Sequence, residues 1–262
     1  MKKFFIQKHK NLVAFSKRAV LDQICFDLFD GLPAHLEFDE KISLYCGIHN
    51  NLFPLYFLAR EVKIGIQTEQ LFDQAGIVFD RALNKRALKN IEIALNKCDF
   101  ILDISKTNQP FYNDHPLKHK VICGPHFFPH VPRPFNRGNK GTLLFTGTMT
   151  ERRKYVLGQI RNYSIDHRSA HKDELRDLMV EYGGIANIHS LDLVYTETPR
   201  LVTAALNGKV FVSETLSNEF IKNQHYIDIY SDDCVDHQII YENFAKYTSD
   251  NFSFYQYLLD TI

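Results

Sequence analysis

Polar residues capable of acid–base or anion chemistry stand directly after short apolar runs in both halves of the chain. In the first half KISLYCGI leads into His49 and Asn50, and VKIGIQ leads into Thr68 and Glu69. An imidazole or carboxyl tuned toward neutrality can take a proton from a hydroxyl, which makes His49 and Glu69 the general-base candidates. In the second half TLLFT runs into Gly147 and Thr148, and Arg152 and Arg153 follow at a helix start. Further on, ANIH ends at His189, and a polar loop through Tyr195 and Glu197 reaches Thr198, Pro199 and Arg200. Unsatisfied N–H groups at a helix N-terminus, with guanidinium groups beside them, suit a phosphate-bearing ligand. Thr148 and Glu151 have capping-box spacing, an equally local use of the same residues.

The motifs that would direct the reading elsewhere are missing. G-x-x-x-x-G-K-[ST] and G-x-G-x-x-G do not occur, and neither does the D-x-D pair that holds a divalent cation against a diphosphate. Asp232 and Asp233 read as solvated turn residues. The cysteines, five in all, include no C-x-x-C pair, so neither a metal site nor a disulfide framework is expected.

Strands alternating with helices must carry these residues. Positions 11–30 have near-helical apolar spacing closed by Gly31-Leu32-Pro33. Strands follow at 41–48, 62–67, 100–105 and 120–123, with helices at 52–60 and 80–97. A proline-rich stretch from Pro125 to Pro134, followed by Arg137-Gly-Asn-Lys, reads as the linker. The alternation then restarts: strand 142–146, helix 151–162, a weak strand near 164, helix 172–182, and a strand ending at His189. Thr198 is the expected N-cap of the next helix, Gly208 its left-handed stop, and 209–213 the strand beyond. A helix at 217–223, a strand at 226–229 and a helical C-terminal region complete the chain. The expected architecture is α/β, with two Rossmann-like domains, 1–135 and 136–262, facing across a cleft.

The chain has 262 residues, enough for two cores, and its 31 basic and 31 acidic residues create no overall field for nucleic acid. No stretch approaches the roughly 20 apolar residues needed to span a bilayer, and Gln7 and Lys8 break the initial apolar run too early for a signal peptide. The expectation is a cytoplasmic protein, with peripheral association at the inner membrane face left open.

LLFTGTMTERRKYVL, NIHSLDLVYTETPRLVTAALNGKVFVSE and IDIYSD, in that order, resemble the donor-binding domain of bacterial glycosyltransferases with the GT-B fold, of the spore-coat and polysaccharide type. The likeness covers about 90 residues, Gly141 to Asp232. It implies a metal-independent transferase that moves a sugar from a nucleotide-sugar donor to a glycan or lipid-linked acceptor, with no cofactor beyond that substrate. It also implies that the donor lies against Gly147, Thr148, Arg152, Arg153, His189, Tyr195, Glu197, Thr198 and Arg200. The chain departs from the pattern at Thr203, where many such enzymes carry a Glu. The partner Glu, eight residues earlier, falls on Tyr195, with Glu197 two positions away. Two other readings are a catalytically inactive nucleotide- or sugar-binding partner in a polysaccharide assembly, and a nucleotide-sugar epimerase.

Overall fold

The computed structural model describes residues 4–57, 62–79, 85–138, 140–231 and 235–262. The expected helix segments at 58–60 and 80–84, and Asp232 and Asp233, lie outside the described residues. Among those described, the chain is a mixed α/β protein with eleven strands, eight α-helices and two largely parallel sheets. It divides into two units, 1–127 with 252–262, and 128–251.

The first unit holds β1 (Phe5–His9), β2 (Leu12–Ser16), α1 (Ala19–Asp30), β3 (Ile42–Cys46), β4 (Val62–Gln67), α2 (Lys85–Lys97), β5 (Phe100–Asp103), α3 (Gln109–Tyr112) and β6 (Val121–Cys123). Its sheet runs in sequence order, β1 to β6, antiparallel at β1–β2 and parallel thereafter. Here the structure corrects the helix expected over 11–30. Leu12–Ser16 is a strand that pairs with β1 on one side and β3 on the other, and helix begins only at Ala19. A mostly buried strand followed by an amphipathic helix had mimicked one helical period. Phe53–Phe57, expected as α-helix, is a 3₁₀ turn. The core packs the stacked rings of Phe15 and Tyr45, with Tyr56 tilted against Tyr45, among Ile91, Leu95 and Ile101.

The second unit holds β7 (Lys140–Thr146), α4 (Glu151–Gln159), β8 (Ser164–Arg168), α5 (Lys172–Glu181), β9 (Tyr182–Asn187), α6 (Thr198–Leu206), β10 (Val210–Ser213), β11 (Ile227–Asp228) and most of α7 (His237–Phe252). Its strands are parallel throughout, in the order β11-β10-β9-β7-β8. The chain winds outward from β7 to β8, then crosses back to β9 and continues the other way. The carboxyl ends of β7 and β9 therefore form a topological switch point, the place where open α/β sheets open a crevice for ligands.

The expected helix at 217–223 is instead a series of turns. There Asn223 has φ of 58°, and the His225 ring nitrogen accepts from the Ile221 amide at 3.2 Å, so side-chain partners replace helical bonding. Phe128, placed in the linker on sequence, packs on Phe220 and Phe244 of the second unit, so the units divide at 127/128. The final helix, α8 (Phe254–Thr261), starts on a Ser253 cap and belongs to the first unit, where His126 packs edge-on against Phe252, just ahead of α8, and tilted over Tyr257.

The chain entering β7 is strapped to the amino-terminal edge of the second sheet. The Asn136 amide donates to the Gly208 carbonyl at 2.7 Å, and the buried Lys209 ammonium donates to the carbonyls of Asn136 at 2.9 Å and Tyr182 at 2.8 Å. Gly208 has φ of 68°, and a Cβ there would strike the Pro134 carbonyl. Gly208→Ala is expected to destabilise the second unit by about 2 kcal/mol or more, since left-handed strain adds to a backbone clash. A urea titration following the second unit would measure it.

Candidate functional site

At the switch point two ion pairs organise the loops. Arg152, on the first turn of α4, meets Glu214 at the end of β10 through two bonds of 2.7 and 2.8 Å, and Glu214 is buried. The same pair grips the main chain of His189: Glu214 Oε2 accepts the His189 N–H at 2.7 Å and Arg152 Nη1 donates to the His189 carbonyl at 2.9 Å. Arg152 also bonds Asp192, and Tyr230 donates to Glu214 at 3.1 Å. Bonds from Arg152 and the His189 amide hold the Glu214 carboxyl below its usual range against the opposing effect of burial.

The second pair centres on Glu197, which accepts from Arg153 at 2.8 Å and from the Tyr195 hydroxyl at 3.0 Å, and which also pairs with Arg200. Arg200 Nη1 donates to buried Asn187 at 2.6 Å. Arg153 and Arg200 both lie over the Phe145 ring, 5.4 and 5.2 Å from its centroid. Burial and the neighbouring Arg153 charge pull Arg200 down to about 9, which leaves it protonated at neutral pH. Three guanidiniums face two buried or half-buried carboxylates and the exposed Asp192, so the cluster's interior carries an excess positive charge.

The cap assignments shift accordingly. Thr150, not Thr148, caps α4, its hydroxyl accepting from the Arg153 amide at 3.3 Å. Thr198 is the first residue of α6, and Glu197 takes the cap position without a capping bond, because Arg153, Arg200 and Tyr195 already claim its carboxylate.

Three consecutive carbonyls after β7 are held by side-chain donors at 2.8 Å each: Thr146 by Arg200 Nε, Gly147 by His167 Nε2, and Thr148 by Arg153 Nη1. In a planar trans peptide the next residue's N–H lies opposite the carbonyl, so the amides of Gly147, Thr148 and Met149 are turned away from those donors. Gly147 (φ of 141°) and Thr148 are exposed, and a Cβ on Gly147 would come within 2.5 Å of Arg200 Nη2. An exposed turn of oriented amides running into a helix N-terminus is an anion-attracting surface.

His189 is a packed histidine. Its Nδ1 bonds the Leu193 carbonyl at 3.0 Å and its ring lies 4.3 Å from that of Tyr195. Burial drops it to about 4, so it is neutral. Thr203 is buried too, its hydroxyl turned back to the Pro199 carbonyl at 3.0 Å.

The first unit brings its two candidates together. His49 follows β3 and Glu69 follows β4, and His49 Nε2 lies 3.4 Å from the Glu69 carboxylate. His49 Nδ1 bonds buried Gln67 at 3.2 Å, Nε2 bonds Asn50 at 2.7 Å, and the Asn90 amide fixes the His49 carbonyl at 2.8 Å. Burial lowers the His49 pKa while Glu69 pushes it back up, and the balance lies below the usual imidazole value, which favours the neutral ring. A neutral imidazole whose Nδ1–H is held by Gln67 accepts at Nε2 from the Asn50 amide, and a hydroxyl that takes the place of that amide would find Nε2 as its proton acceptor, with a carboxylate placed to stabilise the imidazolium that results.

Sequence reasoning did not single out Glu214, Asn187 or His167 in the second unit, or Gln67 and Asn108 in the first. Glu214, Asn187 and Gln67 share a legible signal, since each is a polar residue at the carboxyl end of a parallel strand. Among the described residues no group of three His, Cys, Asp or Glu side chains is placed to hold a metal ion, and no helix is long and apolar enough to cross a membrane. No protein-family model matches the chain, and no match is found among curated proteins.

Arg153→Met is expected to destabilise the second unit by about 2–4 kcal/mol, because it removes one of the two guanidiniums on Glu197 and leaves the Ile188 and Thr148 carbonyls without their donor, whereas Lys154→Ala, on an exposed pair, should change stability by less than about 0.5 kcal/mol. Chemical denaturation of the two variants makes the comparison. His189 gives a pH dependence of definite sign: between pH 6.5 and about 4 the unfolded chain binds a proton that the folded chain refuses, so stability falls as pH falls. The full effect is about 3 kcal/mol. His189→Asn, which can keep the bond to Leu193, should flatten that slope in urea midpoints measured at pH 7 and 4.5.

Proposed function

We propose that this protein is a glycosyltransferase whose second unit binds a nucleotide-sugar donor at the β7/β9 switch point and whose first unit supplies the base that activates the acceptor hydroxyl. The observation that carries this reading is the convergence, at the switch point, of the Gly147 turn, the α4 start and the Glu197–Arg200 segment. A diphosphate is the anion such a turn accommodates, and the resemblance to GT-B enzymes supports the same ligand. That resemblance also carries the expectation that the two units face each other across a cleft.

The chemistry follows from the groups present. The acceptor hydroxyl gives its proton to His49 Nε2 as its oxygen bonds the anomeric carbon. The bond from that carbon to the diphosphate oxygen breaks, and the electron pair leaves with the diphosphate. Amides of Gly147, Thr148 and Met149, with the charge of Arg200 behind them, offset the negative charge that develops. Glu69 stabilises the imidazolium. Arg152 and Arg153 act indirectly, since their donors are committed to Glu214, Glu197 and main-chain carbonyls.

Thr203 favours a second reading, a nucleotide-sugar-binding partner without catalysis, because its buried hydroxyl is spent inside α6. Calorimetry with uridine- and guanosine-diphosphate hexoses, followed by product analysis with mixed glycan acceptors, separates the two. Binding with turnover is expected; binding without turnover under any acceptor supports the second reading, and no binding of any of these donors sinks both. Thr148→Asp places a carboxylate on the exposed turn and should weaken donor binding about tenfold or more without lowering stability, because it repels the anion yet favours the helix start. His49→Asn should abolish transfer and leave donor affinity unchanged.

A further inference from the structure

Glu69 is exposed after β4, its carboxylate against His49, and two side-chain donors hold its main chain. Its carbonyl accepts from Asn108 Nδ2 at 3.0 Å and from Gln67 Nε2 at 3.4 Å. Asn108 is buried and works on three sides. Its Oδ1 accepts the Leu71 amide at 2.7 Å, and its Nδ2 also donates to Asp103 at 2.7 Å. Asp103, at the end of β5, is fully buried and has no cationic partner among the described residues; the Tyr112 hydroxyl at 2.7 Å and the Ser105 amide at 3.1 Å also donate to it. Thr107 bonds the Phe72 carbonyl at 2.9 Å and accepts from Gln70 at 3.2 Å, which stitches residues 69–72 onto the loop after β5. A buried carboxyl without a cation is expensive, and burial raises Asp103 to about 7. A polar centre of that kind in a domain core calls for a purpose beyond packing, and the segment it anchors is the one that carries Glu69.

We infer that Asp103 and Asn108 are positioning residues for the His49–Glu69 pair: they hold the Glu69 segment beside His49 and so set how strongly the carboxylate acts on the imidazole. The catalytic weight of this inference rests on the reading of His49 as the acceptor base, but the coupling is a property of the folded chain and can be read without turnover. The groups that face His49 are Gln67, Asn50 and Glu69, together with the charge of Arg18. Of these, Glu69 raises the imidazole's proton affinity most and the Gln67 bond adds to it, while Arg18 lowers it. Gln67 sits in β4 itself, so loss of the anchor should act chiefly through Glu69.

The test is an NMR titration of the His49 imidazole in the full chain. Glu69→Gln should lower its midpoint by about half a pH unit or more, roughly a threefold or greater change in proton affinity. Asn108→Ala should lower it in the same direction, and the Asn108→Ala/Glu69→Gln double variant should fall no further than Glu69→Gln. Asp103→Asn, which keeps a carbonyl oxygen for Asn108, should give a smaller shift of the same sign; it serves if Asn108→Ala does not fold. A merely structural role would lower thermal stability and leave the midpoint at the wild-type value. That result, or a fully additive drop in the double variant, overturns the inference. Failure of the transferase reading would appear instead as absent donor binding, with the titration unaffected.

Discussion

Arginines cannot be buried singly, and the second unit buries or half-buries three of them at the end of one sheet. In a low-dielectric setting each guanidinium needs a carboxylate or several carbonyls, and the loops take the shape that supplies them. Glu214 answers Arg152, Glu197 answers Arg153 and Arg200, and five main-chain or amide oxygens take the remaining donors. The path of residues 187–200 follows from this, since both main-chain groups of His189 are gripped by one pair and Glu197 is gripped by the other. An anion placed at the Gly147 turn would meet an environment already arranged before it arrives, as electrostatic preorganisation requires.

The first unit solves a different problem. Its sheet has no reversal of strand order among its parallel members, so no crevice opens by topology alone, and its polar centre is built from amides and hydroxyls around Asp103. Hydrogen bonds rather than ion pairs fix the loops there. The exposed Glu69 carboxylate stands beside His49 and raises its proton affinity against the opposing charge of Arg18, a setting suited to a base whose proton affinity matters more than its charge.

Much of the fold is legible residue by residue. The strand at Val62–Gln67 matches its expected span, and Gly208 ends α6 in the left-handed conformation anticipated from its type. Where the reading failed, a second periodicity or a tertiary partner won. Leu12–Ser16 looked helical because an apolar strand ran into an amphipathic helix, and 217–223 lost its helix to bonds made by His225. Thr198 lost the cap because Glu197 was drawn to that position by two arginines.

The sequence by itself determined the alternation of strands and helices from β3 to β10, the polar residues at strand ends, and hence the candidates His49, Glu69, Arg152, Arg153, Glu197 and Arg200. These are local properties, set by side-chain period, φ preference and capping. Tertiary structure alone decided their partners. That His49 meets Glu69, that Arg152 meets Glu214 across 62 positions, and that the switch point falls between β7 and β9 all depend on strand order. Strand order arises from long-range pairing, and the interval between two residues in a chain carries no record of it.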